Sequence, residues 1–287
     1  MVQLANEYLQ IQIAEKGAEL QSVKANGLEY MWRGDPAFWG KHSPVLFPIV
    51  GGLKNNSYTF DGKTYAMGRH GFARDKVFTV LDKTENSVLL GIGDTEETKN
   101  VYPFSFEFLI QYILDQQQLN IQYIVKNTDH RDMYFSVGAH PAFSVPLEDG
   151  LRFEDYALYF SDIENVGIYP LDDNGQTLRT SVPFLEESSI LPLQKSLFYN
   201  DALVFKELRS TEITLKSEKS QHGLTVSFDG FPYLGIWSAK DADFVCIEPW
   251  NGIADNVDAT GDLTQKEGIH ALKPAEAFRR NWSVSFF

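Results

Sequence analysis

With 287 residues, 43% of them hydrophobic, the chain can bury a sizeable core in one or two domains, and all-β domains reach this length as a single unit. Its 39 acidic and 25 basic residues leave a net charge of −14, which repels phosphate backbones and argues against nucleic acid, though not against a small anion met by local Lys or Arg. Cys246 is the only cysteine, so no intrachain disulfide can form, and no apolar run approaches the ~20 residues that span a bilayer. The opening MVQLANEYLQIQIAEKG lacks the basic start and apolar stretch of a signal peptide, so a cytoplasmic, membrane-free location is expected.

Taken in chain order, the sequence reads as strands separated by tight turns. Asn26-Gly27 and Asp61-Gly62 are hairpin signals, each followed by a short return strand, and Asp149-Gly150, Asn174-Gly175 and Asp229-Gly230 repeat the pattern. Residues 36–40, PAFWG, suggest a short turn. Residues 95–103, TEETKNVYP, suggest one helix ended by its proline. Phe106 to Leu114 is apolar on both faces apart from Glu107 and Gln111, the pattern of a strand between two packed layers. In the next segment Leu119, Ile121, Tyr123 and Val125 share one face, with Asn120, Gln122 and Lys126 on the other. Polar residues around 172–200 predict long loops. The C-terminus alternates again, with Trp282, Val284 and Phe286 opposite Asn281, Ser283 and Ser285. The expected fold class is therefore all-β: one domain, residues 1–287, of two stacked antiparallel sheets. Exposed sheet edges are compatible with a monomer or a homodimer.

Common catalytic signatures are missing. There is no phosphate-cradling glycine motif, no zinc-ligand spacing among the six histidines and no G-x-S-x-G elbow. Three other strings stand out. In residues 67–75, MGRHGFARD, His70 lies between Arg69 and Gly71, with Arg74 nearby, in what reads as an irregular loop. In residues 136–146, SVGAHPAFSVP, His140 belongs at a strand end or kink. In residues 245–255, VCIEPWNGIAD, Glu248 ends an apolar strand, where a carboxylate is costly unless used. Each also has an ordinary reading: a hydrogen-bonded surface histidine, an arginine paired with the acidic surface, Trp250 in the core, Asp201 at a strand start. Two imidazoles and one carboxylate with arginines nearby form a coherent set for proton transfer.

Together these strings resemble the aldose 1-epimerase (galactose mutarotase-like) superfamily. The likeness runs the length of the chain, through LANEYLQIQIAEKGAELQSV, SPVLFPIVG, HGFAR, GAHPAF and CIEPWNG. It is strongest to the bacterial branch found with lactose and tagatose utilisation genes, and to hexose-6-phosphate mutarotases. The resemblance implies an antiparallel β-supersandwich and a cofactor-free isomerase with no metal, acting on a sugar or sugar phosphate. It implies Glu248 as general base, His140 as general acid, and His70 beside the ring oxygen. It implies that Asp201 and Arg74 bind substrate. The acidic composition suggests that carboxylates keep His140 protonated at rest. Trp237, Trp250 and Phe72 are candidates for stacking on a pyranose or for core packing. One departure is Gly52, where many relatives carry an arginine that helps hold the sugar. Arg74 or Lys54 would have to substitute, or binding is altered. The alternatives are a hexose-6-phosphate epimerase, with Arg69, Arg74 and Lys54 as a phosphate clamp, a non-catalytic sugar-binding or sensing protein on the same fold, and a lyase or hydrolase on a related sandwich.

Overall fold

The computed structural model describes residues 1–287, and its regular structure is almost entirely antiparallel strand. The larger sheet has nine strands in the order Val182–Pro192, Tyr156–Ile168, Glu212–Ser217, Gly223–Ser227, Ala277–Phe286, Gln118–Asn127, Phe106–Asp115, Ser87–Gly93 and Thr79–Lys83. The six-stranded sheet runs Leu203–Lys206, Tyr233–Trp237, Phe244–Asn251, Val137–Ala139 and Val45–Leu46, with Ala142–Ser144 also paired to Phe244–Asn251. Val2–Ala5, Leu9–Ile13, Leu20–Ala25 and Leu28–Glu29 make a separate four-stranded sheet. No helix is long and apolar enough to cross a membrane.

Period-two patterning explains the layers. Leu119, Ile121, Tyr123 and Val125 are buried, as are Trp282, Val284 and Phe286. The two segments are neighbours, with Leu119 opposite Val284 and Ile121 opposite Trp282, so their apolar faces form one surface. Across the core, Phe47, next to the Val45–Leu46 strand, stacks on Phe108 with ring centroids 4.4 Å apart, and Phe160 meets Phe205 at 6.2 Å. These contacts join the two large sheets into the expected sandwich.

Four sequence expectations change. The helix over 95–103 shrinks to one turn, Glu96–Lys99, capped by the Thr95 side chain on the Thr98 amide. Too few residues follow the cap to build a second turn before Pro103. Within the polar 172–200 stretch, Val182–Pro192 is an edge strand paired with Tyr156–Ile168. Only Leu185 and Leu191 of it are buried, so its sequence looks like loop. The Phe106–Asp115 strand buries Phe106, Phe108, Ile110, Tyr112 and Leu114, whereas on its other face only Leu109 is buried, Gln111 and Ile113 are half-buried and Glu107 and Asp115 are exposed. It lies in one layer, not between two. Finally, Glu248 does not end its strand, which continues through Pro249 to Asn251 with all eight residues buried. A proline in a central strand reads as a stop, yet Pro249 keeps its place opposite Leu234.

Phe108 is fully buried and touches both layers. Phe108→Ala is expected to lower unfolding free energy by about 3–5 kcal/mol, measured by urea denaturation. A loss below 1 kcal/mol would mean that this stack does not join the sheets.

Candidate active site

The Phe244–Asn251 strand serves two environments because its side chains alternate. Val245 and Ile247 enter the main core, while Phe244, Cys246 and Trp250 belong to smaller clusters on the opposite face, the face that also carries Glu248. On the neighbouring strand Gly138 pairs with Trp250 and Ala142 with Cys246. Four residues separate the two pairings on each chain, so the register is the same on both sides of the gap at 139–141. His140 therefore stands opposite Glu248, and its Nε2 lies 3.4 Å from Glu248 Oε2.

This pair forms the floor of a cavity of about 470 Å³. His70, Arg74 and Asp201 line the same cavity, so all five residues singled out from the sequence converge on it. His70 is held by a two-way bridge: its backbone N–H donates to Gly51 O at 2.8 Å, and Gly51 N–H donates to His70 Nδ1 at 3.1 Å. An accepting Nδ1 leaves the proton of the neutral ring on Nε2. The bridge needs a left-handed backbone at His70 (φ 68°) and Gly71 (φ 67°). A Cβ at Gly71 would lie 2.3 Å from Phe47 O, so only glycine fits there. Asp201 also adopts positive φ, 86°, and its Oδ1 accepts the Ala202 N–H at 2.8 Å. Arg74 lies behind the loop as well as in the cavity wall, because its Nη2 donates to Arg69 O at 2.9 Å.

Sequence reasoning passed over one contributor, Trp39, and weighed Arg69 only as part of a phosphate clamp. Trp39, read only as part of a turn, stacks on His140 at 5.0 Å and 24°, and Trp237 meets the same ring edge-on at 5.6 Å. Trp39 is anchored through its carbonyl, which accepts the Trp32 indole N–H at 2.8 Å. Arg69 lies across Gly175, where a Cβ would overlap its Nη2, while a Cβ at Gly52 would meet its Nε only at 4.0 Å, an ordinary contact. Arg69 Nη1 faces Asp201 Oδ2 at 3.9 Å. Lys54 does not substitute for the missing arginine: its Nζ donates to Val257 O at 2.8 Å, away from the cavity lining. Phe72 is also outside the cavity and packs against Phe47 and Phe106, whereas Trp237 and Trp250 line it.

The electrostatics of the floor differ from the sequence expectation of a resting imidazolium. Burial drives His140 down to about 3, with the Arg74 and Arg69 charges adding to the effect. Burial also holds the Glu248 carboxyl well above its usual range. Both residues thus favour their neutral forms. His70 is held well below its usual value by burial first, then by His140, Arg74 and Arg69. Glu248 is 2% exposed, and its polar neighbours are His140 Nε2 at 3.4 Å and the Trp250 indole N–H, whose pull on the carboxyl opposes that of burial. Glu248, His140 and Trp250 all line the cavity, where a ligand's hydroxyls can reach them.

Comparison with known proteins places this geometry in context. The family model described as aldose 1-epimerase matches residues 1–269. Protein LacX (chromosomal) of Lactococcus lactis subsp. lactis is 35% identical, over 99% of this chain and 98% of its own. A galactose mutarotase related enzyme from Lactobacillus acidophilus superposes with a TM-score of 0.95 at 38% identity, covering 100% of this chain and 97% of that one. A galactose mutarotase-like protein from Lactobacillus casei superposes with a TM-score of 0.92 at 31% identity, covering 100% of both chains.

Trp250 lies between two glycines on adjacent strands: a Cβ at Gly235 would fall 2.4 Å from its ring and one at Gly138 2.8 Å. Gly235→Ala is expected to displace the indole, alter the near-ultraviolet circular dichroism and lower stability by about 1–3 kcal/mol. An unchanged spectrum and midpoint would show that the ring has room to spare.

Proposed function

Because this chain belongs to the aldose 1-epimerase family, we propose that it interconverts the α and β anomers of a hexose by opening and reclosing the pyranose ring without a cofactor. The observation that carries the reading is one contact: a carboxyl and an imidazole, both buried, 3.4 Å apart in the wall of a sugar-sized cavity.

The chemistry needs one proton shared between Glu248 and His140. With Glu248 ionised and His140 protonated, the carboxylate takes the anomeric hydroxyl proton and the imidazolium protonates the ring oxygen. The C1–O5 bond breaks, C1=O1 forms, and the pair is left neutral. After rotation about C1–C2 the steps reverse on the other face of C1, so no net proton is consumed. The neutral arrangement that burial favours is the one that meets the open-chain sugar. Pyranose hydroxyls donating to Glu248 would stabilise the ionic arrangement. His70, fixed as the Nε2–H tautomer, donates to the ring oxygen as charge develops. Each positioned acid or base contributes about 10²–10⁴-fold, roughly 3–5 kcal/mol. Asp201 and Arg74 are assigned to sugar hydroxyls and to the cavity wall. The single unpaired cysteine suits a cytoplasmic site of action.

A specific observation favours a second substrate reading. Arg69 and Lys240 both line the cavity, and the Arg69 side chain is 45% exposed with only a 3.9 Å contact to Asp201. Cations at this position in a strongly acidic chain suit a phosphorylated hexose.

Glu248→Gln is expected to reduce turnover by about 10²–10⁴-fold with sugar affinity close to wild type, measured by polarimetry for turnover and calorimetry for binding. Near-normal turnover would remove Glu248 from the role of base. Anomer exchange on galactose, glucose and their 6-phosphates, measured side by side by NMR, separates the two substrate readings. For a phosphorylated substrate, Arg69→Ala should lower kcat/KM about 10-fold or more on the 6-phosphate, as expected when a charge-assisted contact is lost, and much less on the free sugar. Equal losses on both would assign Arg69 to the sugar hydroxyls. Sugar binding with no acceleration of exchange would instead make the protein a binding module.

A further inference from the structure

Cys246 is fully buried, unpaired, and has no part in the proposed proton transfers. It lies two residues before Glu248 and on the same face of the strand, while His140 stands across from Glu248. One sulfur, one imidazole nitrogen and one carboxylate oxygen lie within 4.8 Å of one another, His140 and Glu248 lining the cavity and Cys246 buried behind them. We infer that Cys246, His140 and Glu248 form a binding site for a thiophilic divalent cation, zinc above all, and that occupancy blocks the epimerase. The blocking half rests on the acid–base roles assigned above.

Three features support the site. The donor set is that of zinc: thiolate, imidazole and carboxylate at about 2.0–2.3 Å, in a tetrahedron whose fourth position takes water or substrate. Small side-chain rotations bring donors 4.8 Å apart into that shell. Cys246 and Glu248 share one strand, and His140 is held between two short strands that both pair with it, so the donors arrive preorganised. Glu248 is 2% exposed, and its Oε2 lies 3.4 Å from His140 Nε2. Binding would release the thiol proton and the proton shared by His140 and Glu248, leaving an electrically neutral centre: a 2+ ion, a thiolate, a carboxylate and a neutral imidazole. His140 Nδ1 has no partner to orient the ring as a metal ligand. Second-shell support of that kind strengthens metal sites, so this one suits reversible inhibition and not a permanent structural ion.

The test uses the full chain. Titration with Co²⁺ should produce a near-ultraviolet thiolate-to-cobalt absorption band, displaced by Zn²⁺ and abolished by EDTA. Zn²⁺ should inhibit anomer exchange reversibly. Cys246→Ser should lose the band and weaken zinc inhibition by about 10–100-fold or more, with turnover close to wild type. Cys246→Ala serves if the hydroxyl disturbs packing, with circular dichroism confirming the fold. A wild-type protein with no thiolate band, or a folded Cys246 variant inhibited as strongly as wild type, would overturn the inference. A wild-type band in a protein that never accelerates anomer exchange would keep the cation site and overturn the acid–base roles instead.

Discussion

An antiparallel ladder fixes which side chains face each other, and the candidate site depends on that constraint. Once Gly138 pairs with Trp250 and Ala142 with Cys246, His140 has no position other than opposite Glu248. A slip of one residue would exchange the faces of Phe244–Asn251, sending the carboxylate into the core and Val245 and Ile247 into the cavity. The core is therefore what holds the register. The apolar residues that join the two sheets thereby also fix the separation of Glu248 and His140.

That arrangement has an electrostatic consequence. A carboxyl and an imidazole taken out of water each favour the neutral form, and at 3.4 Å they share a single proton. The ionic and neutral arrangements differ only in the location of that proton. A reaction that removes a proton from one oxygen and adds one to another passes between these same two arrangements. The aromatic rings of Trp39 and Trp237 around His140 restrict water and maintain this balance.

The layers are legible from period-two patterning, and most of the residues that line the cavity together from three short strings, with Asp201 added by the family resemblance. What could not be read has physical reasons. Val182–Pro192 is an edge strand with little burial, so it carries almost no apolar signal. Pro249 looked like a terminator because local propensity says so, while the flanking ladder overrides it. The protonation of His140 was misjudged because composition reports net charge, and burial acts through the local environment. Trp39 and Arg69 reach the cavity from segments whose paths are set by tertiary contacts. Nothing in PAFWG announces an aromatic ring stacked on an imidazole about a hundred residues away, and the passage of Arg69 across Gly175 into the cavity requires a three-dimensional view.

The path of Arg69 has a wider consequence. Arg69 enters the cavity from a loop, across Gly175, whereas Glu248 lies on a central strand with His140 beside it. The same loop carries His70, tied to Gly51 by two hydrogen bonds, so the cation and this imidazole share one support. A change that re-aims the positive charge is therefore felt at His70, while the Glu248–His140 contact stays where the ladder holds it.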